Sequence, residues 1–375
     1  MGESTGHGSI QTGNADNMTE YPKIKVAAAH VAPVFLDAAR SVDKACGLIA
    51  EAAGAGARLI AFPEAFIPAF PIWVALQAPI LGHELFGRLV SNALRIDGAE
   101  IDRLRAVARR HGIVVSMGFT EGTPASVGCI WNSNVLIGAS GDILAHHRKL
   151  VPTFYEKLVW ANGDGHGLRV AETPIGRIGV LICGENTNPL ARFALMAQGE
   201  QVHIASYPPL WPTRATRQGN YDLGQAIKIR AGAHSFEAKV FTIVASAVLD
   251  DTARAALAGL PPEAQRVLDE TPRGVSLVVG PSGLPVSESM CADEGILYAE
   301  IDLAACVEPK QFHDVVGYYN RFDVFNLRID RTRTAPATFT ERLGEPAAPP
   351  GDALPQTDAT SVLELDLKRA KTTRG

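Results

Sequence analysis

The sequence predicts one layered α/β domain whose sheets are mixed rather than purely parallel. Short apolar strands alternate with amphipathic helices in the first half of the chain, and the same alternation returns in the second half. Between the halves, two apolar runs flank the turn at 138–142, which is a hairpin pattern. Hairpin strands pair antiparallel and strand–helix–strand units pair parallel, so both kinds of pairing are expected.

The first half opens with the small apolar residues of Lys23–His30, which predict a buried strand. Asp37 is placed to cap a helix whose apolar residues recur at helical spacing until the glycines at 54 and 56. Further elements are predicted as a strand at Arg58–Phe62, a helix at Glu100–His111, and strands at Ile113–Phe119, Ile130–Ile137 and Ile143–His147.

The second half predicts strands and helices in alternation, at Arg177–Cys183, Asn188–Gln198, Val202–Ala205, Leu223–Ala238 and Val240–Ala247. Gly274–Val279 and Leu297–Ile301 are expected to close the sheet. Composition changes at both ends of the chain, where apolar periodicity is lost. We therefore expect a flexible N-terminal tail at 1–21, one domain at 22–330 and a C-terminal tail at 331–375.

Composition excludes several classes of protein. Lys plus Arg number 35 against 40 Asp plus Glu, a net charge of −5, so there is no basic excess to bind nucleic acid. The most apolar run, Ala65–Leu81, is interrupted by three prolines and is too short to cross a membrane. The polar start lacks a secretory signal, and five cysteines without a CxxC pattern predict neither disulfides nor a zinc site. A cytoplasmic location is expected.

Three reactive side chains each follow a predicted strand, at the edge where ligands of α/β sheets bind. The first is Glu64, which lies between Phe62 and Phe66. Apolar surroundings would desolvate the carboxylate, raise its pKa and make it a general base near neutral pH. The alternative is a glutamate at a strand end that points to water.

Lys149 is the second candidate, a fixed cation for a developing negative charge. The alternative is a solvated basic patch, because His146, His147 and Arg148 precede it. Adjacent strand residues point to opposite faces, so the two histidines are not expected to share a metal. Glu156, seven residues further on, could orient Lys149 or carry a proton; the alternative is an exposed helical glutamate.

Cys183 is the third candidate, at the junction between a strand and a helix that begins near Asn188. Backbone N–H groups and the positive helix end would lower the pKa of the thiol and supply oxyanion donors. The alternative is a buried structural cysteine. There is no GxGxxG after a strand, no Walker-type GK[ST] and no HExxH, so we expect neither a cofactor nor a metal.

Together, Glu64, Lys149 and Cys183 resemble the nitrilase superfamily of carbon–nitrogen hydrolases. Longer segments around each residue also match, and the likeness covers most of 22–330. The matching segments are Phe62–Pro68, His147–Thr153, Val159–Gly165 and Cys183–Arg192, the last being of the kind found in true nitrilases. Two positions depart from the common pattern: Gly184 stands where many members have Trp, and Tyr318 where many have His. These departures leave substrate range and assembly open.

The resemblance implies a four-layer α-β-β-α sandwich and a homodimer or larger homo-oligomer, which in some members is a spiral. It also implies hydrolysis of an organic nitrile to the carboxylic acid and ammonia through a thioimidate and then a thioester. Glu64 would act as base, Cys183 as nucleophile and Glu156 as a supporting acid/base. Lys149 and the backbone N–H of Gly184 would stabilise the developing charge.

Aromatic and large apolar residues near these motifs could wall the substrate pocket: Phe66, Ile67, Trp73 and Trp160. They suggest an aromatic or arylaliphatic nitrile, and core packing is the alternative for each. Three other functions remain open. The first is an amidase or carbamoylase with the same residues, the second is nitrile hydration that releases the amide, and the third is a non-catalytic assembly protein.

Overall fold

The computed structural model describes residues 21–215 and 219–337. Those ranges contain eleven strands, which are β1 (Lys23–His30), β2 (Leu59–Ala61), β3 (Val114–Gly122), β4 (Ile130–Ile137), β5 (Ile143–Arg148), β6 (Ala171–Thr173), β7 (Gly176–Ile182), β8 (Val202–Tyr207), β9 (Phe241–Ser246), β10 (Leu277–Val279) and β11 (Gly295–Asp302). The α-helices there are α1 (Ala38–Gly54), α2 (His83–Ser91), α3 (Ala99–His111), α4 (Pro189–Met196), α5 (Leu223–Ala238), α6 (Asp251–Ala256), α7 (Pro262–Glu270) and α8 (Glu308–Phe312).

The strands form two sheets, and each sheet is mixed. The first has the order β11-β1-β2-β3-β4-β5, in which β1, β2 and β3 are parallel and the other pairs are antiparallel. The second has the order β10-β9-β8-β7-β6, with β7, β8 and β9 parallel. The mixed pairing expected from the sequence is confirmed.

The expectation that Leu297–Ile301 closes the same sheet as Gly274–Val279 is wrong. Strand β10 pairs with β9 in the second sheet, whereas β11 pairs antiparallel with β1 in the first, from Lys23 opposite Asp302 to His30 opposite Gly295. The long separation in sequence hides this partner, because strand patterns show which face is buried but not which strand lies alongside.

Alternation along the strands produces four layers. In β1, Ala27 and Ala29 pack against α1 and α3, while Val26 and Ala28 face the second sheet. On the outer face of the second sheet lie α5 and α4, which contribute apolar residues such as Leu223. Side chains of successive strand residues point to opposite faces, so strands buried on both sides are apolar throughout. The four-layer α-β-β-α sandwich is confirmed.

Helix α1 begins where the sequence predicts, because the Asp37 side chain accepts a hydrogen bond from the backbone N–H of Arg40 at 3.0 Å. Four helices were not predicted, namely α2, α6, α7 and α8. They have five to nine residues, so each shows too few turns for a clear apolar period.

The described residues up to Thr334 form one compact unit. Residues 331–337 contain no helix or strand, and Arg333 and Thr334 donate hydrogen bonds to the side chain of Asp164. The predicted tails lie mostly outside the described residues, so the domain limits at 22 and 330 stay predictions. Among the described helices, none combines the length and apolar character needed to cross a bilayer.

Candidate active site

Glu64 lies three residues beyond the end of β2, buried beneath apolar side chains. Its Oε1 accepts hydrogen bonds from Asn132 Nδ2 and from Lys149 Nζ, each at 2.7 Å. A Cβ on Gly118 of neighbouring β3 would overlap the carbonyl oxygen of Pro63, so a glycine there lets the Glu64 segment approach the sheet. The buried position agrees with the first reading of this residue rather than with a solvent-exposed glutamate.

Lys149 directly follows β5 and is held by its backbone as well as its side chain. Its N–H donates to the carbonyl of Asn132 at 2.8 Å, which continues the pairing of β5 with β4. Its Nζ lies between two carboxylates, 2.7 Å from Glu64 Oε1 and 2.6 Å from Glu156 Oε2. A buried ammonium between two carboxylates is a fixed cation, not a solvated basic patch.

Glu156 belongs to a short 3-10 helix at Phe154–Leu158 and is fully buried. Its Oε2 accepts from the backbone N–H of Thr153 at 2.9 Å as well as from Lys149, and its Oε1 accepts from Trp211 Nε1 at 3.2 Å. The alternative of an exposed helical glutamate is therefore wrong. The carboxylate of Glu156 thus gives the ammonium of Lys149 a second ionic partner beside Glu64.

Cys183 follows β7 and begins a 3-10 turn, Cys183–Thr187, that leads into α4. Its φ is +50°, in the left-handed region that non-glycine residues rarely adopt. Its thiol and one carboxylate oxygen each from Glu64 and Glu156 lie within 4.8 Å of one another. The structure thus brings together all four predicted catalytic residues, from segments far apart in the chain.

Burial governs the electrostatics of this cluster. It raises the pKa of Glu64 to about 7, although the ammonium of Lys149 acts in the opposite direction. Burial alone would lower the pKa of Lys149, but the charges of Glu156 and Glu64 outweigh it and raise that pKa well above its ordinary value. Lys149 is therefore a permanent cation, and Glu64 can exchange a proton near neutral pH.

The expected lowering of the pKa of the Cys183 thiol is wrong. Burial raises that pKa well above its ordinary value, and the negative charge of Glu64 adds to the effect despite Lys149. The turn after the strand does not compensate for the loss of water. The resting thiol is neutral, and a neighbouring base must take its proton before it can attack an electrophile.

Gly184 sits tightly against the Glu156 segment. A Cβ at this position would lie 2.7 Å from Oγ1 of Thr153, so a side chain here would displace the start of the 3-10 helix that carries Glu156. Its predicted role as a backbone oxyanion donor stays a prediction.

The four predicted pocket residues lie in different surroundings. Phe66 and Ile67 belong to the apolar cluster between the first sheet and helices α1 and α3, and Phe66 also borders a narrow cavity of about 20 Å³ beside Glu64. Trp73 lines a separate cavity of about 260 Å³ near α2. Trp160 packs its ring 5.6 Å from that of Phe70. Their roles in substrate binding stay predictions.

Sequence reasoning missed several supporting residues. Asn132 binds Glu64, and Trp211 binds Glu156. Glu185 accepts from the N–H groups of Leu150 and Ile182 and contacts His147 Nε2 at 2.9 Å, so it ties the Lys149 segment to the Cys183 turn. Two signals were available in the sequence: Asn132 is a polar residue within the largely apolar β4, and Glu185 lies two residues after Cys183.

The paired histidines have different partners. His146 Nε2 lies 2.8 Å from Glu121 and His147 Nε2 2.9 Å from Glu185, on opposite faces of β5 as the strand geometry predicts.

At the centre of the site, a buried thiol lies beside a carboxylate with a raised pKa and a fixed cation. This arrangement defines a hydrolase that acts through a covalent bond to cysteine.

The sequence profile of the carbon-nitrogen hydrolase family matches residues 25–311, and the chain belongs to that family. An arylacetonitrilase of Hypocrea virens is 35% identical over 318 residues, which cover 82% of this chain and 92% of the relative. An aliphatic nitrilase of Rhodococcus rhodochrous is 35% identical over 324 residues, 85% of this chain and 86% of the relative.

Solved structures share the fold at low identity. A member of branch 10 of the nitrilase superfamily from Saccharomyces cerevisiae aligns with a TM-score of 0.61 at 18% identity, over 80% of this chain and 97% of that one. The NitFhit protein of C. elegans aligns with a TM-score of 0.62 at 19% identity, over 84% of this chain and 69% of that one.

Proposed function

We propose that this protein is a nitrilase, which hydrolyses an organic nitrile to the carboxylic acid and ammonia. The observation that carries the proposal is the buried group formed by Glu64, Lys149, Glu156 and Cys183. Lys149 Nζ is hydrogen-bonded to both carboxylates, and the thiol lies within 4.8 Å of an oxygen of each. The relatives similar over most of the chain are named arylacetonitrilase and aliphatic nitrilase.

The reaction begins with attack of Cys183 Sγ on the nitrile carbon. Glu64 accepts the thiol proton and passes it to the nitrile nitrogen, which gives a neutral thioimidate without a change in total charge. A pKa of about 7 for Glu64 suits both transfers near neutral pH. The ammonium of Lys149 stabilises the negative charge that develops on nitrogen in the transition state.

Water completes the reaction in two additions. In the first, Glu64 takes a proton from water, hydroxide adds to the thioimidate carbon, and Glu64 returns the proton to the nitrogen. Glu64 then carries the hydroxyl proton to the same nitrogen, so ammonia leaves and a thioester remains. In the second, another water attacks the thioester, the C–S bond breaks, and Cys183 regains its proton. The sum is one nitrile and two waters to one acid and one ammonia.

An aromatic or arylaliphatic nitrile is the proposed substrate class. Three aromatic residues line the narrow cavity beside Glu64, namely Phe35, Phe66 and Phe70. The ring of Trp160 packs against that of Phe70. Flat rings of this kind pack well against an aryl substrate. A nitrilase of Klebsiella pneumoniae named as bromoxynil-specific is 34% identical to this chain, which supports the same class.

Product analysis tests the proposal. Purified protein is incubated with matched aryl and aliphatic nitriles and with the corresponding amides, and acid, amide and ammonia are followed by mass spectrometry. Acid and ammonia from aryl nitriles, with the amides untouched, are expected. Turnover of amides alone would assign an amidase, the alternative that uses the same catalytic residues. Accumulation of amide would assign nitrile hydration.

We also propose a homodimer or larger homo-oligomer, with a spiral as one form. Beyond α8 the described chain exposes a run of large apolar side chains, of which Tyr318, Tyr319, Phe322 and Phe325 are each at least 70% exposed. Several of them line a cavity of about 570 Å³ against α4. Exposed apolar surface of this extent is typical of association sites. Light scattering after size exclusion measures the mass, and a monomer would contradict the proposal.

A cytoplasmic location is proposed as well. The cysteines of the described residues are free thiols, which suits a reducing compartment. Fractionation of cells that produce the protein, followed by detection of the chain in each fraction, tests this location.

A further inference from the structure

A chain of buried hydrogen bonds leads from the catalytic turn into the second sheet. Asn186 Nδ2 donates to the backbone carbonyls of Cys183 at 3.1 Å and Leu181 at 3.2 Å. Asn186 Oδ1 lies 2.8 Å from His203 Nε2, and His203 Nδ1 lies 2.8 Å from Glu200 Oε1. All three side chains are at most 2% exposed, so water does not compete for these bonds.

The two carbonyls fix the orientation of the Asn186 amide, and this in turn fixes the protons of His203. Carbonyl oxygens only accept, so the amide NH₂ must face them and the amide oxygen must face His203. The other imidazole nitrogen faces the carboxylate of Glu200, which is also an acceptor. Both nitrogens of His203 therefore donate, which makes the ring an imidazolium paired with Glu200.

His234 completes the cluster as a neutral partner. Its ring is stacked 3.6 Å from that of His203, and its Nε2 lies 2.7 Å from the second oxygen of Glu200. Burial and the neighbouring His203 lower the pKa of His234 to about 4, so it donates to Glu200 as a neutral ring. Glu200, whose burial alone would raise its pKa, has a pKa of about 2 because of the two histidines.

The same three residues could be taken for a metal site, since their donor atoms lie within 4.8 Å of one another. The ring geometry argues against it. A histidine lone pair lies in the plane of its ring, and two rings stacked at 3.6 Å with only 20° between them cannot both aim at one ion. The cluster serves hydrogen bonding instead.

The consequence for catalysis follows from the planarity of the peptide bond. In a trans peptide the C=O of one residue and the N–H of the next point in opposite directions within one plane. Asn186 holds the carbonyl of Cys183, so it also fixes the direction of the N–H of Gly184. The resemblance to the nitrilase superfamily gives that N–H the role of a second donor, beside Lys149, to the developing anion.

We propose that Asn186, His203 and Glu200 are positioning residues that aim the Gly184 N–H at the substrate. This inference rests on the proposed nitrilase function for its kinetic consequences. The positive φ of Cys183 shows that the turn at this residue is strained. A strained turn keeps its shape only where its surroundings fix it, and the hydrogen bonds of Asn186 supply that constraint. Glu200 reaches this position because Gly179 of β7 leaves room for its carboxylate.

The test compares His203→Leu and His203→Gln with the parent protein. Leucine cannot donate to Asn186, whereas the glutamine amide can. We expect kcat of the leucine variant to fall about 10- to 100-fold with KM nearly unchanged, which is less than the roughly 10²- to 10³-fold cost of deleting an oxyanion donor. The glutamine variant should recover at least part of that loss.

Two further measurements separate aiming from general damage. Alkylation of Cys183 by iodoacetamide needs no oxyanion donor, so its rate should stay within about twofold of the parent protein. Hydrogen exchange of the peptide that contains residues 183–187 should become faster in His203→Leu and in Asn186→Ala. The matched control is His30→Leu, since His30 is equally buried but hydrogen-bonds Ser276. Neither measurement should change in the control.

The outcomes are distinct. If the parent protein hydrolyses no nitrile, the proposed function fails. Hydrogen exchange alone then still shows whether Asn186, His203 and Glu200 hold the turn at Cys183. Unchanged exchange in both His203→Leu and Asn186→Ala would overturn the inference, whatever the substrate. Loss of alkylation together with kcat would also overturn it, because the residues would then support the whole site rather than aim one donor. Should His203→Leu not fold, Asn186→Ala carries the same comparison.

Discussion

Burial raises the pKa of the catalytic carboxyl and thiol groups, but by itself would lower the pKa of the lysine. The charge that each side chain carries therefore depends on its neighbours. The carboxylate of Glu64 and the thiol of Cys183 are both shifted toward their neutral forms. Lys149 keeps its charge only because two carboxylates lie within 2.7 Å of its Nζ. The resting site therefore combines a neutral thiol with a base that titrates near neutral pH.

The pH dependence of the rate should report this base. With a pKa of about 7 for Glu64, kcat/KM is expected to rise with pH through that value, as the carboxylate becomes able to accept the thiol proton. Asn132 donates to this carboxylate and so lowers its pKa. In Asn132→Leu the rising limb should move to higher pH. Initial rates from pH 5 to 9 measure both, and a limb unmoved in the variant would contradict the assignment of Glu64.

Replacing the nucleophile should abolish turnover and leave the fold intact. In Cys183→Ala the covalent step has no sulfur, so nitrile hydrolysis should fall to background. The matched control is Cys306→Ala, since Cys306 is also buried but packs between the sheets. Ammonia release and circular dichroism are measured on both. Substantial activity in Cys183→Ala would disprove the nucleophile.

Lys149→Ala should slow the chemical step far more than it weakens substrate binding. Its removal leaves two buried carboxylates without their cation, which costs transition-state stabilisation on the order of 3 kcal/mol or more, about a hundredfold or more in rate. Single-turnover kinetics separate chemistry from affinity. A variant with a normal chemical step and a raised dissociation constant would show that Lys149 only binds substrate.

At the scale of elements, close backbone contacts hold the Lys149 segment in place. A Cβ on Gly163 would overlap the carbonyls of Arg148 and Lys149, and one on Gly167 would overlap the backbone of His147. The glycine-rich segment 163–167 thus packs directly on the end of β5. Glycine is required there for close approach rather than for flexibility.

Gly167→Ala should therefore destabilise the protein, by about 1–3 kcal/mol, because an added methyl group must displace backbone. Gly47→Ala is the matched control, since Gly47 is exposed on α1 and a Cβ there meets nothing within 4 Å. It should stabilise the fold by roughly 0.5–1 kcal/mol. Urea unfolding at constant protein concentration measures both, and equal signs for the two variants would contradict the packing argument.

Most strands could be predicted from the sequence, and the limits of Lys23–His30 and Ile130–Ile137 coincide with β1 and β4. Apolar runs bounded by turn residues show these elements locally. Pairing across the sheet could not be predicted, which is why the place of β11 beside β1 was missed. The same limit explains why the raised pKa of the Cys183 thiol was missed, because it depends on burial by the assembled fold and on Glu64, which lies more than one hundred residues earlier.

At the scale of the whole molecule, ionic partners lower the pKa of several buried carboxylates. Burial alone would raise the pKa of Glu121, but His146 and Arg148 lower it to about 2. The pKa of Glu200 is also about 2 because of its two histidines. His234, whose pKa in the folded protein is about 4, also makes the folded state less stable as the pH falls. Glu64 has the opposite effect, because its raised pKa of about 7 makes the folded state more stable as the pH falls from about 7 toward the ordinary glutamate pKa of 4.5.

Stability should therefore fall most steeply in acid. A carboxyl with a folded pKa of about 2 contributes stability that is complete above its ordinary pKa of 4.5 and is lost as pH falls toward 2. Glu121→Gln should be less stable than the parent at pH 7, yet lose less on acidification, by on the order of 2 kcal/mol between pH 7 and pH 3. Free energies of unfolding in urea at pH 7, 4.5 and 3, at one protein concentration, measure the difference. Parallel curves for the two proteins would mean that Glu121 has the same pKa in the folded and unfolded chains, so that its partners His146 and Arg148 do not stabilise its charge.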